Sequence, residues 1–306
     1  MNTKAYINAI SYILPDSVLT NECLTALYPE WSVEKIALKT GITERRISAD
    51  DETALDMAVR AVECFFEEHN FDRNDIDFII LCSQSPDHLL PSSACILQER
   101  AGLPVNIGAF DFNLGCSGYI YGLGLAKGLV ETGQARNVML VTSDTYSKYI
   151  HPKDKSVRTI FGDAATATVI SAKNEPDSSI GYLGPFEYGA DGRGAGNLIV
   201  PHGGAKHPWS EKSFVEVEDK NGNIRSPKNL YMNGAEVFSF SLNRVPELLK
   251  SLLRTAGLEK QDVDYFVFHQ ANKLILDSIR KSTEIPEDKL LLFYETIGNT
   301  VSSSIP

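Results

Sequence analysis

The chain has 306 residues, of which 43% are hydrophobic and 23% charged, and its formal net charge is -11. This composition is typical of a folded protein and excludes a largely disordered chain. The length suits two domains or one large α/β unit. The acidic balance repels phosphate backbones, and no run approaches the roughly 18 apolar residues of a membrane span. We therefore expect neither nucleic acid nor a membrane as a partner.

Five cysteines are scattered at positions 23, 64, 82, 95 and 116, without a CxxC pair. This pattern argues against a disulfide framework and against a zinc site, so no metal is expected. Reduced thiols favour the cytoplasm. The N-terminus lacks the uninterrupted apolar segment and the cleavage site of a secretory signal. The sequence therefore predicts a soluble cytoplasmic protein.

Strand and helix patterns alternate through the first half of the chain, which indicates an α/β protein. In chain order, the patterns predict strands at 6–11, 78–82, 109–112, 138–142 and 165–170, and helices at 53–68, 92–100 and 117–131. The strand at 78–82 is a continuous apolar run, as in strands that are buried on both faces of a sheet.

A repeat appears when the sequence is compared with itself at an offset of 187 residues. Asp-Ile-Asp-Phe at 75–78 matches Asp-Val-Asp-Tyr at 262–265, and apolar positions at helical spacing match upstream. We infer two copies of one helix–loop–strand unit, the second with a strand at 265–268. A coincidence between two common helix–strand units is the alternative. A polar connector at 173–179, which contains Pro176, separates the halves 1–172 and 180–306.

The repeat also predicts where the second copy should end. The first copy finishes near residue 171, so the offset places the matching end near 358, about 52 residues beyond residue 306. We therefore expect a truncated second half or, alternatively, a degenerate second copy. The segment 188–227 is rich in Gly, Pro, His and charge, and is expected to be an insertion that shapes a substrate site.

Cys116 lies in Asn-Leu-Gly-Cys-Ser-Gly at 113–118, between a predicted strand and a predicted helix. A helix N-terminus stabilises negative charge, so we expect this thiol to ionise and to accept an acyl group readily. The neighbouring N–H groups could hold an oxyanion. The alternative is that Cys116 is a small buried apolar residue.

Two further polar motifs follow in the second half. His269 begins His-Gln-Ala-Asn at the end of the predicted strand 265–268, and Asn299 follows a glycine at a turn. His269 could equally be a structural histidine, and Gly-Asn alone is ordinarily a turn. In the functional interpretation, an imidazole and an amide donor face the cavity that contains Cys116.

Together these motifs resemble the β-ketoacyl-acyl-carrier-protein synthase III branch of the thiolase superfamily, in the same order along nearly the whole chain. The matching segments are 39–42, 44–46, 91–95, 113–118, 161–165, 232–238, 269–272 and 298–300. The resemblance implies an α/β fold with a thiolase-like duplicated βαβαβ core in a layered αβαβα arrangement. The nucleophile would lie in the half 1–172, and the histidine and asparagine in the half 180–306.

The resemblance also implies the chemistry. Cys116 would accept an acyl primer, and His269 and Asn299 would bind the thioester carbonyl of a malonyl group during decarboxylative condensation to a 3-oxoacyl thioester. The substrates would be acyl-CoA or acyl-acyl carrier protein and malonyl-acyl carrier protein in fatty acid biosynthesis, with no cofactor. The implied substrate-binding residues are Asn272, Lys35, Lys39, Lys155, Leu90, Asn233 and Gly234.

Docking of an acidic acyl carrier protein is implied for Lys273, Arg280 and Lys281. A homodimer is also implied, with the loop 89–91 reaching the partner's acyl pocket. Two departures from the family pattern concern the substrate. Lys35 stands where the family often has a tryptophan that stacks on adenine, and Trp31 lies four residues earlier. Leu274 stands where the family commonly has a basic residue for carrier-protein docking.

Other functions remain open at this point. A thiolase would need a second cysteine as acid–base catalyst, and none follows position 116. A Cys-dependent acyltransferase that acylates an alcohol or an amine in secondary metabolism would keep Cys116 and His269 without decarboxylation. A non-catalytic partner subunit would have kept the fold alone.

Overall fold

The computed structural model describes residues 3–174 and 177–306. The strands are β1 Lys4–Ile13, β2 Ser17–Thr20, β3 Glu44–Ile47, β4 Phe78–Cys82, β5 Gly108–Phe112, β6 Asn137–Asp144, β7 Ala164–Lys173, β8 Leu198–Ile199, β9 Val217–Glu218, β10 Ile224–Arg225 and β11 Tyr231–Met232. The α-helices are α1 Asn21–Leu27, α2 Val33–Thr40, α3 Ala54–Glu68, α4 Ser93–Arg100, α5 Gly118–Glu131, α6 Lys155–Arg158, α7 Gly234–Ala256 and α8 Lys273–Thr283.

A five-stranded sheet in the order β1-β7-β6-β4-β5 organises the first half. Strand β4 is parallel to β5 and β6, while β7 is antiparallel to β1 and β6. Helices α3 and α4 contribute to the apolar cluster on one face, and α5 to the cluster on the other. Both faces of the sheet are therefore covered, which explains why β4 and β6 are continuous apolar runs.

The predicted elements of the first half are confirmed. The strand predicted at 78–82 coincides with β4, and the other predicted strands and helices differ from the observed ones by a few residues at their ends. Helix α3 begins where expected because Thr53 and Asp56 form a capping box. The predicted connector 173–179 includes Glu175 and Pro176, which lie outside the described residues.

The repeat recurs in the local structure, but its second strand does not form a sheet. Helix α7 spans the positions equivalent to α3, and a 3₁₀ turn at Lys260–Asp262 lies 187 residues after the turn at Arg73–Asp75. The predicted strand 265–268 is wrong, because it is reduced to one bridge between Phe266 and Leu290. Its flanking side chains explain this: Tyr265 is 61% exposed and Val267 45%.

The second half therefore differs from the expected layered arrangement. Among the described residues 177–306, no sheet has more than two strands, and α7 has no buried residue. Helix α8 instead buries one face, with Leu276 and Ile279 almost inaccessible to solvent. No helix in the described ranges is long and apolar enough to cross a bilayer. The α/β class is confirmed, and the large sheet is contributed by the first half.

Two buried polar residues from the matching motifs hold the loops around the sheet. Arg45 is fully buried, and its guanidinium donates to the Thr159 carbonyl oxygen at 2.9 Å and to Asn21 Oδ1 at 2.5 Å. Asp163 Oδ2 accepts from the backbone N–H and the hydroxyl of Ser48, both at 2.9 Å. Since buried polar groups need partners, these bonds fix the loops that carry the site.

The packing of α3 yields a stability prediction. Phe65 is fully buried, whereas its neighbour Phe66 is partly buried. We expect Phe65→Ala to lower the free energy of unfolding by about 3–5 kcal/mol, because it leaves a cavity in the core. Phe66→Ala is the matched control and should cost clearly less. Urea unfolding measures both, and equal losses would contradict the assigned packing.

Candidate active site

Cys116, His269 and Asn299 line one cavity of about 980 Å³. Cys116 also lines a second cavity, of about 1460 Å³, whose walls include the apolar side chains Ile120 and Leu230. The three residues lie far apart in the sequence, and the fold brings them to one cavity. Cys116 therefore lines both cavities, and the smaller one also contains the polar pair His269 and Asn299.

Cys116 is held in the turn between β5 and α5, and the residue is partly exposed. The backbone N–H of Gly118 donates to the Gly115 carbonyl oxygen at 2.7 Å and closes this turn. A Cβ atom at Gly118 would lie 2.3 Å from the sulfur of Cys82. Only glycine fits there, which explains the glycine two residues after Cys116.

The expectation that Cys116 ionises readily is wrong. Burial and, to a smaller extent, the negative charge of Asp144 together raise the pKa of its thiol to about 12. Desolvation disfavours the thiolate more than the nearby helix N-terminus favours it. Cys116 is therefore a thiol at neutral pH, and its reaction with an acyl donor requires a proton acceptor.

His269 is fixed through its ring nitrogen Nδ1, which lies 2.7 Å from the hydroxyl oxygen of Ser304. The same hydroxyl oxygen accepts from the backbone N–H of Gln270 at 3.2 Å. Burial lowers the pKa of His269 to about 4, although a hydrogen bond with the Val301 backbone opposes this effect. The imidazole is therefore neutral at physiological pH and can either accept or donate a proton.

Asn299 is oriented by bonds on both sides of its backbone. Its N–H donates to the Ile160 carbonyl oxygen at 2.9 Å, and its own carbonyl oxygen accepts from the Gly162 N–H at 3.0 Å. Its side-chain Oδ1 accepts from the Val301 N–H at 3.0 Å. Because the amide oxygen is engaged, the NH₂ group is the part of Asn299 that remains for a ligand.

Four of the seven expected substrate-binding residues line the smaller cavity: Lys39, Lys155, Asn272 and Gly234. Asn272 also caps α8, since its Oδ1 accepts from the Ile275 N–H at 3.0 Å. The other three are not among the residues that line this cavity. Lys35 packs on Trp31, Leu90 is 86% exposed, and Asn233 caps α7.

Trp31 lines the cavity with two lysines over its ring. The ammonium of Lys39 lies 4.8 Å from the ring centroid and that of Lys35 lies 5.2 Å from it. Lys155 forms an ion pair with Glu30 at 2.8 Å. The mouth of the cavity thus offers an aromatic face and ammonium groups, a combination suited to an anionic ligand with an aromatic ring.

The three basic residues expected to bind a carrier protein all lie on α8. Lys273 is exposed and pairs with Asp277 at 3.1 Å, and Lys281 is exposed. Arg280 is partly exposed, 3.8 Å from Glu287. Leu274, at the departure from the family pattern, is 57% exposed and lines the cavity.

Two residues near the site escaped sequence analysis. Ser304 holds His269, and the buried carboxylate Asp144 lies close enough to Cys116 to affect its ionisation. A weak signal for Asp144 was available, since it ends an apolar strand. Across the described ranges, no group of His, Cys, Asp or Glu could hold a metal ion.

Comparisons with known proteins identify related sequences. Residues 110–192 match the sequence profile described as 3-Oxoacyl-[acyl-carrier-protein (ACP)] synthase III, and residues 253–306 match the profile of its C terminal region. A "Beta-ketoacyl-[acyl-carrier-protein] synthase III" of Caldanaerobacter subterraneus subsp. tengcongensis is 37% identical, over 95% of this chain and 84% of the relative. A protein of the same name from Chlamydia caviae is 35% identical, over 99% of this chain and 86% of the relative.

Solved structures give the same result. A 2.1 Å crystal structure titled 3-oxoacyl-(acyl-carrier-protein) synthase III superposes with a TM-score of 0.95 at 53% identity, covering 99% of this chain and 89% of the other. A 3-oxoacyl-(acyl-carrier protein) synthase from Burkholderia xenovorans LB400 gives a TM-score of 0.87 at 34% identity, covering 99% of this chain and 84% of the other.

The expectation of a truncated second half is not borne out by these comparisons. The relatives match 95% or more of this chain, and the chain spans 84% or more of their length. The projection to residue 358 assumed two copies of equal length.

The ionisation of His269 yields a pH prediction. Its pKa falls from 6.5 to about 4 on folding, so between these values the unfolded chain binds a proton that the folded chain does not. The free energy of unfolding should therefore fall as the pH is lowered through this window, by roughly 2 kcal/mol between pH 7 and pH 4.5 from this residue alone. Urea unfolding at both pH values measures this.

His269→Gln should lose correspondingly less stability on acidification than the unmodified protein. His88→Gln makes the same replacement at an exposed histidine and is the matched control. Equal acid-induced losses in the unmodified protein and in His269→Gln would contradict the assignment.

Proposed function

The chain belongs to the 3-oxoacyl-[acyl-carrier-protein] synthase III family of condensing enzymes, and we propose that Cys116, His269 and Asn299 carry its decarboxylative condensation. The observation that supports these roles is the cavity that all three residues line. A reaction between an acyl group on sulfur and a malonyl thioester needs both partners in one enclosed space, and this cavity supplies it.

In the first half-reaction, Cys116 attacks the carbonyl carbon of an acyl thioester. The neutral imidazole of His269 accepts the thiol proton during the attack and returns it to the leaving thiol. The acyl chain then lies in the larger cavity, against Ile120 and Leu230. A thiol that is protonated at rest and a histidine that is neutral at rest are the protonation states that this transfer requires.

In the second half-reaction, a malonyl thioester loses carbon dioxide and leaves an enolate. Asn299 and His269 donate to its oxygen, and two fixed donors stabilise the charge as it develops. The two half-reactions use opposite tautomers of the neutral ring, and the Ser304 hydroxyl at Nδ1 can support both. When this hydroxyl accepts from Nδ1, Nε2 is free to take the thiol proton. When it donates to Nδ1, the ring proton is on Nε2 and can be donated to the enolate oxygen. The enolate carbon attacks the acyl-Cys116 carbonyl, and the bond between the carbonyl carbon and the Cys116 sulfur breaks. The released thiolate takes up a proton from solvent, so the products are a 3-oxoacyl thioester, carbon dioxide and the free thiol.

The expected substrates are an acyl-CoA or acyl-acyl carrier protein primer and malonyl-acyl carrier protein. Trp31 and Lys39 at the cavity mouth favour a CoA thioester, whose adenine and phosphates match an aromatic face and an ammonium group. Trp31 lies four residues before position 35, just ahead of α2, and it lines this cavity. Lys273, Arg280 and Lys281 would dock the carrier protein.

A cytoplasmic homodimer without a cofactor completes the proposal. The five free cysteines fit a reducing compartment. Leu89 and Leu90, which are 87% and 86% exposed, fit a loop that a second subunit would cover. A solved structure titled as the priming β-ketosynthase of the R1128 polyketide pathway is 28% identical to this chain, so a specialised pathway is a second candidate.

Intact mass after incubation with a panel of acyl thioesters tests the role of Cys116. We expect one acyl adduct on the unmodified protein, located at Cys116 by peptide mapping, and release of carbon dioxide when malonyl-acyl carrier protein is added. Cys116→Ala should abolish the adduct and lower condensation by at least about a thousandfold, because no covalent intermediate forms.

Cys95→Ala is the control, since this exposed thiol is not among the residues that line either cavity. An adduct that persists in Cys116→Ala would refute the nucleophile. Transfer of the acyl group to a hydroxyl or amine acceptor without carbon dioxide would favour the acyltransferase alternative. Folded protein with neither reaction would favour a non-catalytic subunit.

A further inference from the structure

A buried carboxylate lies behind the candidate site and has no role in the mechanism above. Asp144 ends the central strand β6 and is fully buried. Its Oδ1 accepts from the backbone N–H of Gln84 at 2.8 Å, and its Oδ2 accepts from the Ser302 hydroxyl at 2.5 Å. Both donors are neutral, so the cost of burying this charged group is offset only in part. Burial raises the pKa of Asp144 to about 7.

The bond to Ser302 connects the sheet to the turn that orients both second-half site residues. In this turn, the Val301 N–H donates to Asn299 Oδ1 at 3.0 Å. On the other side of Ser302, the hydroxyl oxygen of Ser304 lies 2.7 Å from Nδ1 of His269. A displacement of residue 302 would therefore move the supports of Asn299 and His269 together.

The same carboxylate acts on the first-half site residue through its charge. It raises the pKa of the Cys116 thiol, and it does the same for Cys82 and Tyr146. The other charged group that acts on it is Asp163, which raises its pKa. Asp144 thus influences all three members of the candidate site, one through its charge and two through the turn.

We propose that Asp144 is a positioning residue for the condensation reaction, acting through Ser302 on the turn that holds His269 and Asn299. The inference rests on the proposed function, because it assumes the roles given to these two residues and to Cys116. It goes further by assigning a task to a buried acid and to a serine that touch no substrate. The loop at Gln84, which lines the larger cavity, is anchored by the same carboxylate.

Two substitutions separate the charge from the hydrogen bond. Asp144→Asn removes the charge and also replaces one of the two accepting oxygens with an NH₂ group, while Ser302→Ala keeps the charge and removes only the bond to residue 302. Both should lower the kcat of condensation by at least about tenfold, because a small displacement of reacting groups costs one to two orders of magnitude. The KM for malonyl-acyl carrier protein should change little, since docking lies elsewhere.

The reactivity of the Cys116 thiol distinguishes positioning from general stability. Iodoacetamide alkylation of Cys116, followed at pH 9 by peptide mass spectrometry, should be about fivefold faster in Asp144→Asn, because the thiolate is no longer opposed by a negative charge. In Ser302→Ala the alkylation rate should stay near that of the unmodified protein. A purely structural role would change both variants in the same way.

Ser303→Ala is the matched control in the same turn. The hydroxyl of Ser303 bonds to Thr142 Oγ1 at 2.8 Å rather than to the carboxylate, so this variant should stay within about twofold of the unmodified kcat. If Ser303→Ala loses as much activity as Ser302→Ala, the turn needs anchorage in general and the proposal is overturned. If Asp144→Asn does not fold, Ser302→Ala and Ser303→Ala decide the matter.

Full condensation activity of folded Ser302→Ala would also overturn the inference. The proposed function would still stand if the unmodified protein forms its acyl adduct on Cys116. Absence of that adduct would instead refute the proposed function. The two failures are thus distinguishable with the same set of proteins.

Discussion

The pairing of Asn299 with Phe161 is the constraint on which the rest of the site depends. Through this parallel bridge, a segment from the second half lies beside the loop that precedes β7. A Cβ atom at Gly162 would lie 2.2 Å from the Ile297 carbonyl oxygen, so the approach requires glycine. The turn that supports His269 follows Asn299 directly, so this contact fixes where the turn begins, and the bond between Ser302 and Asp144 holds the turn further along.

This arrangement divides the work between the halves. The first half supplies a sheet with apolar faces. Cys116 follows the C-terminal end of β5, and Asp144 ends β6. The second half supplies His269 and Asn299 from loops, which gain their rigidity from bonds to that sheet. Since polar groups on loops hold their geometry only when their own partners are fixed, the hydroxyls and carboxylates around the site matter as much as the reacting groups.

Sequence reasoning predicted the first half well because its signals are local. Periodic apolar runs and the capping box at Thr53 decide β4 and α3 without reference to the rest of the chain. The segment 265–268 has a similar apolar pattern, yet only Phe266 forms a β-bridge. Strand formation depends on neighbouring strands, whose positions the sequence of the segment does not determine. That Cys116 and His269 line one cavity was expected from the order of the motifs, which resembles that of the family. The pKa of the Cys116 thiol was not predictable in this way, because it depends on burial in the folded chain.

The shielded sulfur of Cys116 has a consequence for inhibition. Peroxides and simple electrophiles react with thiolates, and a cysteine that remains a thiol at neutral pH is a slow target for both. In the proposed mechanism, the neutral imidazole of His269 takes the thiol proton when an acyl-like group is bound, so a compound that carries such a group would react more readily. Covalent inhibitors of this protein should therefore gain selectivity from resembling the thioester rather than from greater intrinsic electrophilicity.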